Sequence, residues 1–161
     1  TDYVLTELVG EWVNMKTVWV LNGPNLNLLG SREPDIYGKT TIRELIIKVK
    51  KYGRKLGLRI NHFQSNHEGK LVDKLHRIAR RPCLGVIFNP GALTHYSYSL
   101  RDAISATGLR VVEVHLSDIE KREPFRRVSV IKDVCISQIK GLGVIGYLKA
   151  LDVLLENQDK C

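Results

Sequence analysis

Val18-Trp19-Val20-Leu21-Asn22-Gly23-Pro24-Asn25-Leu26-Asn27-Leu28-Leu29-Gly30-Ser31-Arg32-Glu33-Pro34-Asp35-Ile36-Tyr37-Gly38-Lys39-Thr40-Thr41 decides how the rest of the chain is read. The first four residues are a short apolar run, which predicts a buried strand. The last residue opens Thr41-Ile42-Arg43-Glu44, the spacing at which threonine and glutamate cap a helix start reciprocally. Between them lies a loop punctuated before Tyr37 by Gly23, Pro24, Gly30 and Pro34. It carries three asparagines, Arg32 and Tyr37. Strand-to-helix connections usually run about 2 to 6 residues. A loop near three times that length inside a compact domain is expected to be a lid or a binding loop. The alternative is a surface loop with ordinary turn chemistry.

Outward from this stretch, strand and helix patterns alternate. Strands are predicted at about 17–21, 59–64, 85–88, 110–115 and 134–139. Helices are predicted at about 41–56, 70–80, 97–107 and 144–157, with Gly57 and Gly108 as C-terminal stops. Short apolar strands alternating with helices imply a parallel sheet covered on both faces. The chain is too short for an eight-unit barrel. The expected fold is therefore α/β, a flavodoxin-like doubly wound five-stranded sheet. In that architecture ligands bind beyond the carboxyl ends of the strands, near the switch point. That rule selects the loops after strands one, three and four.

The 161 residues suggest one domain, read as 15–161, with 1–14 as an N-terminal extension. Within the extension Val4, Leu5, Leu8, Val9 and Trp12 fall at helical spacing, which predicts a short amphipathic helix. Asp2, Glu7 and Glu11, without a basic cluster, do not read as a signal peptide. Cys83, Cys135 and Cys161 form no disulfide framework or zinc spacing, so a reducing, cytoplasmic setting is expected. No apolar run is long enough for a membrane span. The net charge of +8 is scattered in short clusters without a nucleic-acid motif, so no nucleic-acid partner is expected. Part of it can attract an anionic substrate.

Several residues on the selected loops could carry chemistry. Arg32 and Tyr37 lie five apart on the long loop. A guanidinium within about 4–6 Å of a phenol favours the phenolate, which can take a proton from carbon. The pair also reads as a surface arginine and a loop-anchoring tyrosine. His115 ends strand four, with Glu113 on the same strand face, where a carboxylate can hold the imidazole in one tautomer. His115 equally reads as a satisfied structural histidine. Asn25 on the long loop, with Asn89 and His95 on the loop after strand three, suits a polyhydroxylated ligand, although Asn89-Pro90-Gly91 is also ordinary turn chemistry. Arg126 could meet an anionic or hydroxylated ligand, or simply water.

Gly141-Leu142-Gly143-Val144-Ile145-Gly146 matches a dinucleotide fingerprint. The fingerprint should open a βαβ unit, and here no strand follows, so these glycines read as tight turn and helix packing. The histidines show no metal-ligand spacing, and no metal or cofactor is expected.

The chain resembles the type II 3-dehydroquinate dehydratases. The resemblance covers about 16–155 and rests on several motifs. They are Leu21-Asn22-Gly23-Pro24-Asn25-Leu26-Asn27-Leu28-Leu29-Gly30, Arg32-Glu33-Pro34 with Tyr37-Gly38, and Gln64-Ser65-Asn66-His67-Glu68-Gly69. Asn89-Pro90-Gly91-Ala92 with Thr94-His95, Leu100-Arg101-Asp102-Ala103, Val112-Glu113-Val114-His115-Leu116-Ser117 and Gly146-Tyr147 complete the set. The resemblance implies reversible dehydration of 3-dehydroquinate to 3-dehydroshikimate in the shikimate or quinate pathway. It implies anti elimination through an enolate without a cofactor. Tyr37 would be the base, activated by Arg32. Asn25 would hold a water at the enolate oxygen, and His115 would protonate the departing hydroxyl. Asn89, His95 and Arg126 would bind hydroxyls, and the backbone at Leu116 and Ser117 the carboxylate. Asp102 would reach a neighbouring subunit's site in a dodecamer of four trimers.

Some positions depart from the family pattern. Pro124 stands where an acidic residue is usual, and Val128-Ser129-Val130 replaces a run that commonly has histidine and tyrosine. Tyr96 and Tyr98 are bulkier than usual, and residues 135–138 replace smaller ones. These changes bear on subunit contacts and helix packing more than on chemistry.

A nucleotide- or flavin-binding module of the same fold is the competing reading. Pro24 counts against it, because a phosphate loop there would lose a donor. A non-catalytic scaffold is a third, disfavoured by the presence of Arg32, Tyr37 and His115 together.

Overall fold

A computed structural model describes residues 15–31, 35, 38–156 and 158. The helix expected within residues 1–14, together with Arg32 and Tyr37, lies outside the described residues.

The strands are β1 (Lys16–Asn22), β2 (Leu58–Gln64), β3 (Gly85–Asn89), β4 (Val111–His115) and β5 (Ser137–Lys140). They form one parallel sheet in the order β2-β1-β3-β4-β5. The helices among the described residues are α1 (Ile42–Lys55), α2 (Glu68–Ala79), α3 (Tyr98–Thr107) and α4 (Val144–Glu156). This is the doubly wound, flavodoxin-like order, with its switch point between β1 and β3.

Two apolar layers explain why the central strands β1, β3 and β4 read as hydrophobic runs. On one face Val18 and Val20 of β1 pack with Leu45 and Val49 of α1 and Leu151 and Leu154 of α4. On the other, Leu21, Val86 and Phe88 pack with Leu71 and Leu75 of α2 and Leu100 and Ile104 of α3. Strands buried on both faces show no polar alternation.

Local chemistry sets the helix ends. Thr41 Oγ1 accepts from the Glu44 N–H at 3.2 Å, and Glu44 Oε2 accepts from the Thr41 N–H at 2.8 Å. The reciprocal cap read from the sequence is therefore present. Gly57 follows α1 at φ 69°, and Gly108 ends α3 at φ 63°. α3 is capped by Ser97, whose hydroxyl accepts from the Leu100 N–H at 3.1 Å.

β5 differs from expectation. It begins at Ser137, and Lys132–Val134 is a 3₁₀ turn instead. The turn closes through Val134 N–H to the Ile131 carbonyl at 3.1 Å and Cys135 N–H to the Lys132 carbonyl at 3.2 Å. The apolar character of Val134 and Cys135 comes from packing against the α2–α3 layer, not from strand pairing. α2 starts at Glu68, two residues before the expected Lys70.

Candidate active site

Asn22 and Asn89 end neighbouring strands in register, and the loops that leave them are locked together. The Gly23 N–H donates to the Asn89 carbonyl at 2.8 Å. A Cβ at Gly23 would stand 2.2 Å from the Pro90 carbonyl oxygen, so only glycine lets the two backbones pass. From β2's side, Asn66 Oδ1 accepts from the Asn25 N–H at 2.9 Å and from Gln64 Nε2 at 3.1 Å. Asn25 is held at φ 66°, in the left-handed region that non-glycine residues seldom occupy. Positions of this kind persist where the surroundings over-determine them, and they cluster at ligand sites.

Beyond the strand ends lies one cavity. Asn89, His95, His115, Leu116, Ser117 and Arg126 all line it. Leu26, Ala92 and Ile119 add apolar wall, and Arg122 brings a second guanidinium. Asn25 and Asp102 do not line it. Asp102 is exposed on α3, and Asn25 is exposed on the long loop.

Glu113 is the electrostatic centre beneath this cavity. Its side chain is fully buried, and His115 is 5% exposed. Glu113 Oε1 accepts from His115 Nε2 at 2.6 Å, Thr94 Oγ1 at 2.6 Å and Ser129 Oγ at 2.8 Å. Glu113 Oε2 accepts from Ser129 Oγ at 3.0 Å and Gln138 Nε2 at 3.1 Å. Burial pushes the carboxyl's pKa up, but the His115 bond, its charge and the two hydroxyls outweigh that and hold it below the ordinary range. Glu113 is therefore ionised, which a buried carboxylate tolerates only with such a donor set. An ionised oxygen can only accept, so His115 Nε2 carries a proton and Nδ1 is the nitrogen left for a ligand.

His95 Nδ1 lies 2.6 Å from the Val128 carbonyl, which can only accept. The proton is thus on Nδ1, and Nε2 is an acceptor in the neutral ring. Burial lowers the pKa of His95, with His115 and Arg126 adding to the fall against the Val128 bond. Arg126 stacks its guanidinium over Phe125 at 4.7 Å. Its Nε is buried and forms an ion pair with Glu123 Oε2 at 3.2 Å.

The Gly141–Gly146 fingerprint has a structural use. The Gly141 N–H bonds the carbonyls of His115 at 3.3 Å and Ser117 at 3.1 Å, and the Gly143 N–H bonds that of Leu116 at 3.0 Å. In a trans peptide the N–H points opposite to the C=O. The N–H groups of Leu116 and Ser117 therefore face away from that turn, at residues that line the cavity. A carboxylate is the chemical match for two such donors beside a guanidinium.

Thr94, Ser129 and Gln138 stand in the motif and variable stretches of the sequence, and none is expected there as a site residue. β5 is the mostly polar Ser137-Gln138-Ile139-Lys140, so Gln138 carries no signal by itself; it faces Glu113 only through the β4–β5 register, which the sequence does not reveal. Among the described residues there is no group of three or more His, Cys, Asp or Glu that could hold a metal ion. Nor is any helix there long and apolar enough to cross a membrane.

Comparison with known proteins gives the family. The family model described as class II dehydroquinase matches residues 16–155. The chain is similar to the 3-dehydroquinate dehydratase of Thermotoga maritima, with 51% identity over 85% of this chain and 93% of that one. It is equally similar to the 3-dehydroquinate dehydratase of Halalkalibacterium halodurans, at 51% identity over 91% of this chain and 100% of that one. The crystal structure of the type II dehydroquinase from Butyrivibrio crossotus superposes with a TM-score of 0.86 at 41% identity. It covers 88% of this chain and 98% of that chain.

Proposed function

The chain belongs to the class II dehydroquinases, the 3-dehydroquinate dehydratases, and on that premise we propose how its residues remove water from 3-dehydroquinate. The enzyme is a hydro-lyase of the shikimate or quinate pathway. The observation that carries the mechanism is the buried Glu113–His115 pair, with Glu113 ionised and His115 lining the cavity.

Tyr37, as a phenolate favoured by the Arg32 guanidinium, takes a proton from C2. The C2–H electron pair moves toward the C3 carbonyl and gives an enolate. A water held by Asn25 donates to the enolate oxygen. The enolate then collapses, the C1–O bond breaks, and the departing hydroxyl takes a proton from protonated His115 and leaves as water. One proton is taken and one is given, so the elimination consumes no oxidant or reductant. Glu113 stabilises the imidazolium and fixes its ring. The N–H groups of Leu116 and Ser117 hold the substrate carboxylate, and Asn89, His95 and Arg126 bind its hydroxyls.

Residues 15–161 make up the catalytic domain, with 1–14 as an extension, and the enzyme works in the cytoplasm. Asp102 lies outside its own cavity and serves a neighbour's site, in a dodecamer of four trimers. Exposed Tyr96, Tyr98, Phe125 and Val128 support such contacts, because isolated subunits would leave these apolar groups in water.

Incubation with 3-dehydroquinate, followed by the absorbance of the conjugated enone, tests this function. A rise in absorbance that survives borohydride added with substrate is expected. Inactivation by borohydride only in the presence of substrate would indicate an imine route and overturn the mechanism.

A further inference from the structure

Asn89 is the near end of a buried hydrogen-bond chain that the mechanism above leaves unused. The Gly91 N–H donates to Asn89 Oδ1 at 3.1 Å. A backbone N–H can only donate, so this contact decides which end of the Asn89 amide is oxygen. Asn89 Nδ2 then donates to Tyr147 Oη at 2.9 Å. Having accepted, the Tyr147 hydroxyl donates onward to Asn22 Oδ1 at 2.6 Å. Asn22 Nδ2 lies 3.1 Å from His62 Nε2, and since the amide nitrogen only donates, the imidazole nitrogen accepts. Every proton in the chain therefore points the same way, from the Gly91 backbone to His62.

The chain crosses the fold from β3 through α4 to β1 and β2. Asn22 and Tyr147 are fully buried, and Asn89 is 3% exposed. A buried phenol and two buried amides are costly unless every group is paired. Bonds aligned head to tail polarise one another. Burial, with Lys50 adding to it, lowers the His62 pKa to about 4, in keeping with a neutral terminal acceptor. Packing alone would be served by phenylalanine at 147, and apolar residues would fill positions 22 and 89 at less cost in desolvation.

We propose that Tyr147 is a positioning residue: with Asn22 and the His62 acceptor behind it, its hydroxyl fixes the Asn89 amide so that the remaining Nδ2–H is presented to the substrate. This rests on the reading of Asn89 as a substrate-binding residue.

The test is a double-mutant cycle on kcat and KM for 3-dehydroquinate, using wild type, Tyr147→Phe, Asn89→Ala and the double variant. Tyr147→Phe should lower kcat/KM about tenfold, the size of one lost hydrogen bond. In the Asn89→Ala background the same change should cost less than about twofold, because the two residues act as a unit. Equal losses in both backgrounds would overturn the proposal and leave Tyr147 a general structural residue. Wild-type kcat/KM in Asn89→Ala would instead overturn the reading of Asn89, and the proposal with it. ¹⁵N NMR of histidine-labelled wild-type protein adds a readout that needs no variant to fold. His62 should carry its proton on Nδ1 and leave Nε2 bare. A proton on Nε2 would reverse the chain and refute it.

Discussion

Glu113→Gln is the sharpest perturbation of the acid–base pair, because it removes a charge and nearly no volume. Glu113 accepts from His115, Thr94, Ser129 and Gln138. Glutamine keeps one oxygen for His115 Nε2. Its amide N–H groups then face Ser129 and Gln138. Both can adapt, the first by rotating its hydroxyl and the second by flipping its own amide. The fold should survive. The loss at His115 is the difference between a charge-assisted and a neutral hydrogen bond, about 1–2 kcal/mol. If that difference falls on the imidazolium needed in the transition state, kcat drops about 5- to 30-fold with KM little changed. Removing a neighbouring anion also disfavours the cation, so the alkaline limb of the kcat profile should move to lower pH. Steady-state kinetics across pH checks both expectations. A kcat within about twofold of wild type with an unmoved limb would refute the role assigned to the carboxylate. Glu113→Leu is the contrasting case. It leaves several buried donors without an acceptor, at about 1–3 kcal/mol each, and should reduce stability severely in a denaturant titration.

Tyr37→Phe should keep substrate binding and lose kcat by several orders of magnitude. Retention of a tenth or more of wild-type kcat would remove Tyr37 from the role of base. His62 predicts an acid-sensitive stability. Its imidazole is neutral in the fold, with its pKa lowered from 6.5 to about 4, so the unfolded chain takes up the proton first as pH falls. Its contribution is intact above about pH 6.5, declines toward about pH 4 and is level below that. His62→Gln keeps an acceptor for Asn22 and should flatten this slope in thermal melts; an unchanged slope would exclude His62 as its source. Asp102 predicts that separated monomers are poorly active, and light scattering that finds a fully active monomer would end that idea.

The fold was legible because the central strands β1, β3 and β4 are buried on both faces, so their apolar runs stood out against polar, glycine-marked turns; the edge strands β2 and β5 are more polar and only partly buried. Thr41 with Glu44 and Ser97 with Gly108 marked helix ends through chemistry local to a few residues. β5 starts later than the sequence suggests because Val130, Ile131, Val134 and Cys135 are apolar for a different reason, the packing of a turn against α2 and α3. Asn89, His95, His115, Leu116, Ser117 and Arg126 converge on one cavity, as the strand-end rule anticipated. Asn25 and Asp102 do not line it, and Arg32 and Tyr37 lie outside the described residues. The surroundings of Glu113 were not legible. Ser129 and Gln138 lie 16 and 25 residues away in sequence, and only the folded register brings them to the carboxylate.

Substrate carrying deuterium at one C2 position or the other, with the product weighed by mass spectrometry, tests the elimination most directly. In the proposed anti elimination the C2 proton and the C1 hydroxyl leave from opposite faces of the ring. Deuterium anti to the C1 hydroxyl should therefore be lost, and deuterium syn to it retained. Loss of the syn label with retention of the anti label would contradict the proposed roles of Tyr37 as base and His115 as acid.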